Sequence, residues 1–280
     1  MSFHHYRLPL HHGELDLSER THIMGILNLT PDSFSGGGER LDTQMAVERA
    51  LRMVEEGADI IDFGGESTRP GSVPVAAEEE LRRVMPVIEA VLAKVRVATS
   101  IDTYKAAVAN QALAAGVDIV NDISGLRFDA QMASTVAAHD AACVVMHTGG
   151  SPGRLHDEPI TENLLPTVLD SLAASIRVAE RAGIREDKII VDPGIGFTKT
   201  WQGDIEIHKR LREFEKLGRP LLFAPSRKKF IGRLLDLPSE QRIEGTIASC
   251  AIAAMRGAHI VRVHDVKAVK RAMTVIDALK

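Results

Sequence analysis

The chain is 280 residues long, 45% hydrophobic and 26% charged, with a formal net charge of −4. This balance supports a large core and excludes a disordered chain; 4% aromatic residues and no basic stripe exclude nucleic-acid binding by phosphate tracking or base stacking. No run of about 18 apolar residues offers a membrane span, and the opening MSFHHYRLPLHHGELDL lacks the apolar stretch of a secretion signal, so a cytoplasmic protein without membrane contact is expected.

Residues 6–17 predict a short hairpin. From residue 22 onward a short apolar run, a polar or glycine-rich loop and an amphipathic stretch recur eight times. The apolar runs are 22–27, 59–63, 97–101, 118–120, 142–146, 188–191, 220–223 and 259–261. Most are continuous rather than alternating, as strands covered on both faces are. Helical stretches are predicted over 43–56, 78–92, 104–115, 130–138, 161–182, 204–217, 240–256 and 266–279. In the first of these Met45, Val47, Ala50, Leu51 and Val54 share one side. Gly57, Gly116, Gly183, Gly218 and Gly257 end several helices, where the backbone must turn left-handed before the next strand.

Eight strands alternating with eight helices fit a closed (β/α)8 TIM barrel or an open doubly wound sheet. No strand leads into a G-x-G-x-x-G turn, and Gly36-Gly37-Gly38 lacks the Lys-Ser/Thr of a phosphate loop. A single α/β barrel domain over residues 1–280 is therefore expected, with the hairpin plugging its N-terminal end. Cys143 and Cys250 each sit in an apolar run and are expected as buried, reduced thiols.

The polar residues that end the apolar runs carry the functional reading. Asn28, Asp62, Asp102, Asn121, Asp122, Met146, His147 and Asp192 lie at or near the ends of the first six. Ser226, Arg227 and Lys228 follow the seventh, and Arg262 and His264 end the eighth. A lone Asp in such a place serves readily as a helix N-cap; Asp265 reads so, and Asp102 can be read the same way. A whole set converging on one barrel mouth reads as an enzyme site. Asp62, Asp102, Asp192 and Asn121 would form an acidic floor suited to the paired N–H donors of an aminopyrimidine edge. Arg69, Lys228, Arg262 and His264 would stand opposite as cations for an anionic group. Loops 30–38 and 64–72 mix glycine with polar side chains, a composition suited to lids. His147, His156 and Asp157 lack the helical spacing of a zinc site and read as surface or supporting residues.

The segments GILNLTPDSFSGGG, ADIIDFGGESTRPGS, SIDTYKAAV, IVNDISG, VVMH, IIVDPGIGFTKT, RPLLFAPSRKKFIG and IVRVHDV follow one another over nearly the whole chain. In that order they resemble the dihydropteroate synthase family. The resemblance implies a folate-biosynthesis transferase and sulfonamide target, a homodimer, whose substrates are 6-hydroxymethyl-7,8-dihydropterin diphosphate and 4-aminobenzoate. It implies that Asp102, Asn121, Met146, Asp192 and Lys228 hold the pterin, and that Asp62 supports developing positive charge on it. It implies that Asn28 ligates Mg2+ on the diphosphate and that Arg69, Arg262 and His264 bind the diphosphate oxygens. Phe34, Thr68, Pro70, Ser226 and the Lys228 stem would frame the aminobenzoate, and Asp62, Asp102, Lys228 and Arg262 would carry the catalysis. The chain departs from the family pattern at Gly36, Thr148-Gly149 and Ala224-Pro225. A non-catalytic pterin-binding paralogue and a folate-to-corrinoid methyltransferase domain would share the pterin floor; the latter has no need of S-T-R-P, S-R-K and R-x-H together.

Overall fold

The computed structural model describes residues 6–11, 13–30, 39–157 and 159–280, the side chains of 39–41 excepted. An antiparallel pair comes first, β1 (Arg7–Leu10) with β2 (Gly13–Asp16), in the register Arg7 to Asp16. The parallel strands follow: β3 (His22–Asn28), β4 (Ile60–Gly64), β5 (Ala98–Asp102), β6 (Ile119–Asp122), β7 (Ala142–Met146), β8 (Ile189–Asp192), β9 (Leu222–Phe223) and β10 (Ile260–Val263). Their order in the sheet is β8-β7-β6-β5-β4-β3-β10-β9. A parallel bridge from Val191 to Leu221 brings the two outer strands together, so the sheet is a nearly closed (β/α)8 barrel.

Helices α1 (Glu39–Glu55), α2 (Ala77–Leu92), α3 (Ala106–Ala115), α4 (Met132–Ala138), α5 (Leu164–Arg181), α6 (Trp201–Lys209), α7 (Lys229–Leu235), α8 (Ile243–Met255) and α9 (Val266–Leu279) lie between and after the strands. The five glycines expected to end helices all have positive φ, from 63° at Gly218 to 109° at Gly116. Two expectations are corrected. The single helix expected over 204–217 is α6 followed by a 3-10 turn, Leu211–Leu217, with Arg210 between them off helical geometry. The short helix α7 was not expected; seven residues are too few for a periodic signal, and burial of Phe230 and Ile231 fixes it instead. None of the described helices is long and apolar enough to cross a membrane.

Strand pleating divides the barrel interior into two storeys. The lower one is hydrocarbon: Met24, Ile60, Ala98, Ile119, Ala142, Ile190, Leu222 and Ile260, from all eight strands, pack with Leu8 of β1 and with Leu17, which follows β2. The pair's turn is tied to the barrel where the His11 N–H donates to Asp118, whose other oxygen accepts from the Thr99 N–H and hydroxyl. Successive strand residues alternate faces, so each upper-storey position lies two residues beyond a lower one. Thus Ile60 leads to Asp62, Ile119 to Asn121, Ile190 to Asp192 and Ile260 to Arg262. The intervening Ile61, Val120, Val191 and Val261 belong to the separate core beneath the helices. Cys143 and Cys250 are buried free thiols.

Candidate active site

The four upper-storey residues meet at the carboxyl ends of the strands. Asp62 is fully buried, and its Oδ2 accepts from Asn121 Nδ2 at 3.1 Å and from Arg262 Nε at 2.6 Å. Arg262 Nη2 donates to Asp102 Oδ2, also at 2.6 Å. The expectation that Arg262 stands opposite the acids is therefore corrected: it lies on them, bridging two carboxylates. Asp102 does not cap a helix, and burial pushes its carboxyl up while Arg262 draws it down. Among the described residues no group hydrogen-bonds the buried Asp62 Oδ1 or the Ser100 hydroxyl beside it in register. A buried acceptor left open in this way suits a donor-bearing ligand.

Asn28, Gly64 and Asp102 lie side by side on neighbouring strands. A side chain on Gly64 would come within 3.7 Å of Asn28 Oδ1 and 4.0 Å of Asp102 Oδ2, so glycine keeps that gap open between two oxygens. Asp192 ends β8 and accepts from the Gly194 N–H at 2.7 Å; burial raises its carboxyl, opposed by this N–H and by Lys228. Gly194 has φ +65°, and a Cβ there would lie 2.0 Å from the His147 carbonyl oxygen, so no other residue fits.

The Lys228 ammonium lies 4.3 Å from the centre of the Phe197 ring. Burial, the largest influence, pulls it down to about 8, against the Asp204 and Asp192 carboxylates. It is aimed by a strained turn in which Arg227 adopts φ +57°. That turn is held by Lys228 N–H to the Pro225 carbonyl, by Arg227 N–H to Thr246 and by the two Arg227 guanidinium bonds to Asp265. Asp265 was expected as a helix cap; its side chain makes no cap bond and restrains Arg227 instead. The Pro225 departure is accommodated because a carbonyl, not an N–H, is what the turn requires there.

Ser226 and His264 meet at 2.9 Å, hydroxyl to Nδ1, and the Ser226 oxygen also accepts from the His264 N–H. Burial, Arg227 and Arg262 drive the imidazole down to about 3. His264 was expected among the cations; its buried place beside Arg227 and Arg262 disfavours that charge. Met146 packs with Tyr104, Ile123, Leu155 and Phe197. Arg69 and Pro70 are exposed, and with Glu66 and His156 they line a recess beside this cluster. Thr68 reaches the other loops through its carbonyl oxygen, which faces His156 Nε2 at 2.8 Å. Phe34 and Gly36, with most of the first loop expected as a lid, lie outside the described residues.

Reading the sequence missed several residues that organise this mouth. The buried Lys199 ammonium donates to the Gly194 carbonyl at 2.8 Å, the Phe197 carbonyl at 3.0 Å and His147 Nδ1 at 2.8 Å. Burial lowers it, with Asp204 and Asp192 opposing. His147 is driven to about 3 by burial and by Lys199, so its Nδ1 is free to accept. The departure at Thr148-Gly149 is tied in where the Gly149 N–H donates to Thr198 Oγ1 at 2.7 Å. Glu66 accepts from Tyr104 at 2.7 Å and from Lys105 at 2.6 Å, and Lys105 also pairs with the buried Glu80. Their only sequence signal was position, since each lies within or beside a loop at the strand ends. Among the described residues no three His, Cys, Asp or Glu side chains form a metal site.

A nearly closed barrel with an acid-and-amide floor, one guanidinium across two carboxylates and a lysine over an aromatic ring defines a class, and a family model for pterin-binding enzymes matches residues 24–264. The dihydropteroate synthase of Bacillus subtilis is 47% identical over 265 residues, covering 95% of this chain and 90% of the relative. The Xanthomonas albilineans dihydropteroate synthase solved with 4-aminobenzoic acid superposes with a TM-score of 0.92 at 41% identity, over 98% of both chains. The Clostridium difficile enzyme solved in the presence of pteroic acid gives 0.89 at 45% identity, over 93% of this chain and 97% of that one. The chain belongs to the dihydropteroate synthase family and is a transferase of folate biosynthesis.

Proposed function

We propose that the chain joins 6-hydroxymethyl-7,8-dihydropterin diphosphate to 4-aminobenzoate, giving 7,8-dihydropteroate and diphosphate, as a cytoplasmic homodimer. The observation that carries this reading is the Asp62–Arg262–Asp102 bridge with Asp62 Oδ1 left open. The N–H donors of a pterin compete with Arg262 for the same carboxylates, which frees guanidinium N–H groups for the departing diphosphate. The bond from the pterin methylene carbon to the bridging oxygen breaks first, because an arylamine is a weak nucleophile. Asp62 and Asp102 stabilise the cationic carbon centre, and the amine nitrogen then forms the new bond and gives up a proton. Asp192, Asn121, Lys228 and Met146 hold the pterin ring. His264 and Arg69 complete the diphosphate site, and Thr68, Pro70, Ser226, Phe34 and the Lys228 stem frame the aminobenzoate. The donor set suits Mg2+ carried by the substrate rather than by a resident cage, since Asn28 offers one amide oxygen and no metal-holding cluster accompanies it among the described residues. When bound there, Mg2+ would neutralise charge developing on the leaving diphosphate. For the homodimer, Ile252 and Met255 of α8 are exposed, whereas Val269 and Met273 of α9, which could equally have formed such a face, are core.

The test is diphosphate release with and without aminobenzoate, and with and without Mg2+. Equal amounts of diphosphate and dihydropteroate, both needing Mg2+, are expected. Pterin binding without turnover would identify a non-catalytic paralogue instead.

Lys228 makes the pterin step pH-dependent. Its ammonium, at about 8 rather than 10.5, is present below pH 8 and lost above it. Pterin affinity should therefore fall above about pH 8, by up to about tenfold per unit, with proton uptake on binding. Titration calorimetry in two buffers of different ionisation enthalpy reads that uptake; flat affinity to about pH 9.5 removes Lys228 as the donor. For folding the sign is opposite: between about 8 and 10.5 the unfolded chain holds the extra proton, so this group's contribution to stability rises with pH.

A further inference from the structure

We propose that His156 is a positioning residue which, as an imidazolium, fastens together two loops that flank the aminobenzoate end of the site; this rests on the substrate assignment above. Its Nδ1 lies 2.9 Å from the Gly196 carbonyl oxygen and its Nε2 lies 2.8 Å from the Thr68 carbonyl oxygen. Carbonyl oxygens only accept, so both ring nitrogens must donate, and a neutral imidazole has a single N–H. The two contacts together therefore require the doubly protonated ring. Thr68 lies in the loop after β4, Gly196 in the loop after β8 and His156 in the loop after β7, so one side chain joins three segments of the mouth.

The imidazolium also fixes an aromatic wall. It stacks on Phe197, ring centres 5.1 Å apart and planes 19° from parallel, and the same Phe197 ring carries the Lys228 ammonium. The charged groups around it are identifiable. Glu66 and Arg69 share its recess from the loop after β4, with Glu66 already engaged by Tyr104 and Lys105. Arg154 and Asp157 of its own loop pair with each other at 2.9 Å. On the β8 side Asp204 accepts from the Gly196 N–H, and Lys228 lies across Phe197. Loss of the ring proton removes one of the two carbonyl bonds, because the bare nitrogen and a carbonyl oxygen repel. Either the Thr68 loop or the Gly196–Phe197 loop is then released, and the aminobenzoate pocket loosens while the acids and Arg262 stay as they are.

The first measurement is the ring state itself. Long-range nitrogen–proton spectra of the labelled protein, assigned with His156→Gln, should show both His156 nitrogens protonated in the folded chain. A single neutral tautomer overturns the proposal. Kinetics supply the second. The KM for aminobenzoate should rise about tenfold in His156→Ala, the effect expected of one charge-assisted bond, with kcat within about twofold. His156→Gln, which donates from one nitrogen only, should fall between. An unchanged aminobenzoate KM in His156→Ala overturns the proposal as well. Absence of turnover in the parent chain would count instead against the substrate assignment, and the ring spectra would still decide whether the clamp exists.

Discussion

Arg262→Ala should lose both stability and turnover, and the two losses should separate on a second substitution. The guanidinium is the shared partner of Asp62 and Asp102, at 2.6 Å from each. Removing one member of a buried ion network leaves uncompensated charge and typically costs about 3–5 kcal/mol. Here two carboxylates would be left facing each other, and Asp102, already held up at about 7 by burial, would lose the cation that draws it down and rise further. A carboxyl raised in this way stabilises at low pH and loses that contribution as pH rises through its folded value. Urea unfolding should accordingly show the deficit against the parent growing as pH rises past about 7, the reverse of an ordinary salt-bridged acid. Arg262→Ala with Asp62→Asn should recover much of the stability, because an amide at 62 needs no cation. It should not recover turnover, since the diphosphate contact is still gone and one such contact carries about 10²–10³ in rate. Near-parental kcat in Arg262→Ala would remove Arg262 from the chemistry, and a stability loss under about 1 kcal/mol would mean the acids do not depend on it.

Lys199→Met is the second. Methionine nearly matches the length of lysine, so the packing is kept while three hydrogen bonds are deleted. The Gly194 and Phe197 carbonyls and His147 Nδ1 would then lose the buried donor they share. The Phe197 and Gly194 carbonyls keep the Thr198 hydroxyl and the Phe197 N–H as donors, so His147 Nδ1 alone is left open, and a loss of about 1–3 kcal/mol is expected. The kinetic effect should appear as a KM increase of about ten- to a hundredfold, because the loop from Gly194 to Phe197 carries the ring on which the Lys228 ammonium rests. Chemical denaturation together with initial-rate kinetics reads both. Parental stability would show that solvent replaces the ammonium at no loss.

The barrel was legible because a parallel sheet needs a recurring unit, and the unit's punctuation is written in short runs and in glycines such as Gly57 and Gly257. The mouth was legible for a related reason: parallel strands bring all their carboxyl ends to one rim, so Asp62, Asn121, Asp192 and Arg262 had to converge. The pairing within that rim was not legible. Arg262 lies 200 residues from Asp62 and 160 from Asp102, and nothing local specifies that it rests on them rather than across from them. The lowering of the His264 imidazole was hidden too, because it depends on burial in the mouth and on Arg227 arriving from the loop after β9. Lys199 carried no signal of its own, although burial makes it the tie of a loop. His156 carried no periodic signal, and its function lies in two backbone oxygens that no side-chain pattern reveals.

The two-storey interior has an electrostatic consequence. Beneath the carboxylates and the guanidinium lies a plug of methyl and methylene groups, sealed at the far end by Leu8 and Leu17. Such a slab polarises little, so the charges above it are poorly screened from below and their field is directed outward through the open rim. A ligand arriving there meets dipoles and charges already oriented, with little solvent left to rearrange, and the hydrocarbon floor contributes to reactivity without touching any reacting atom.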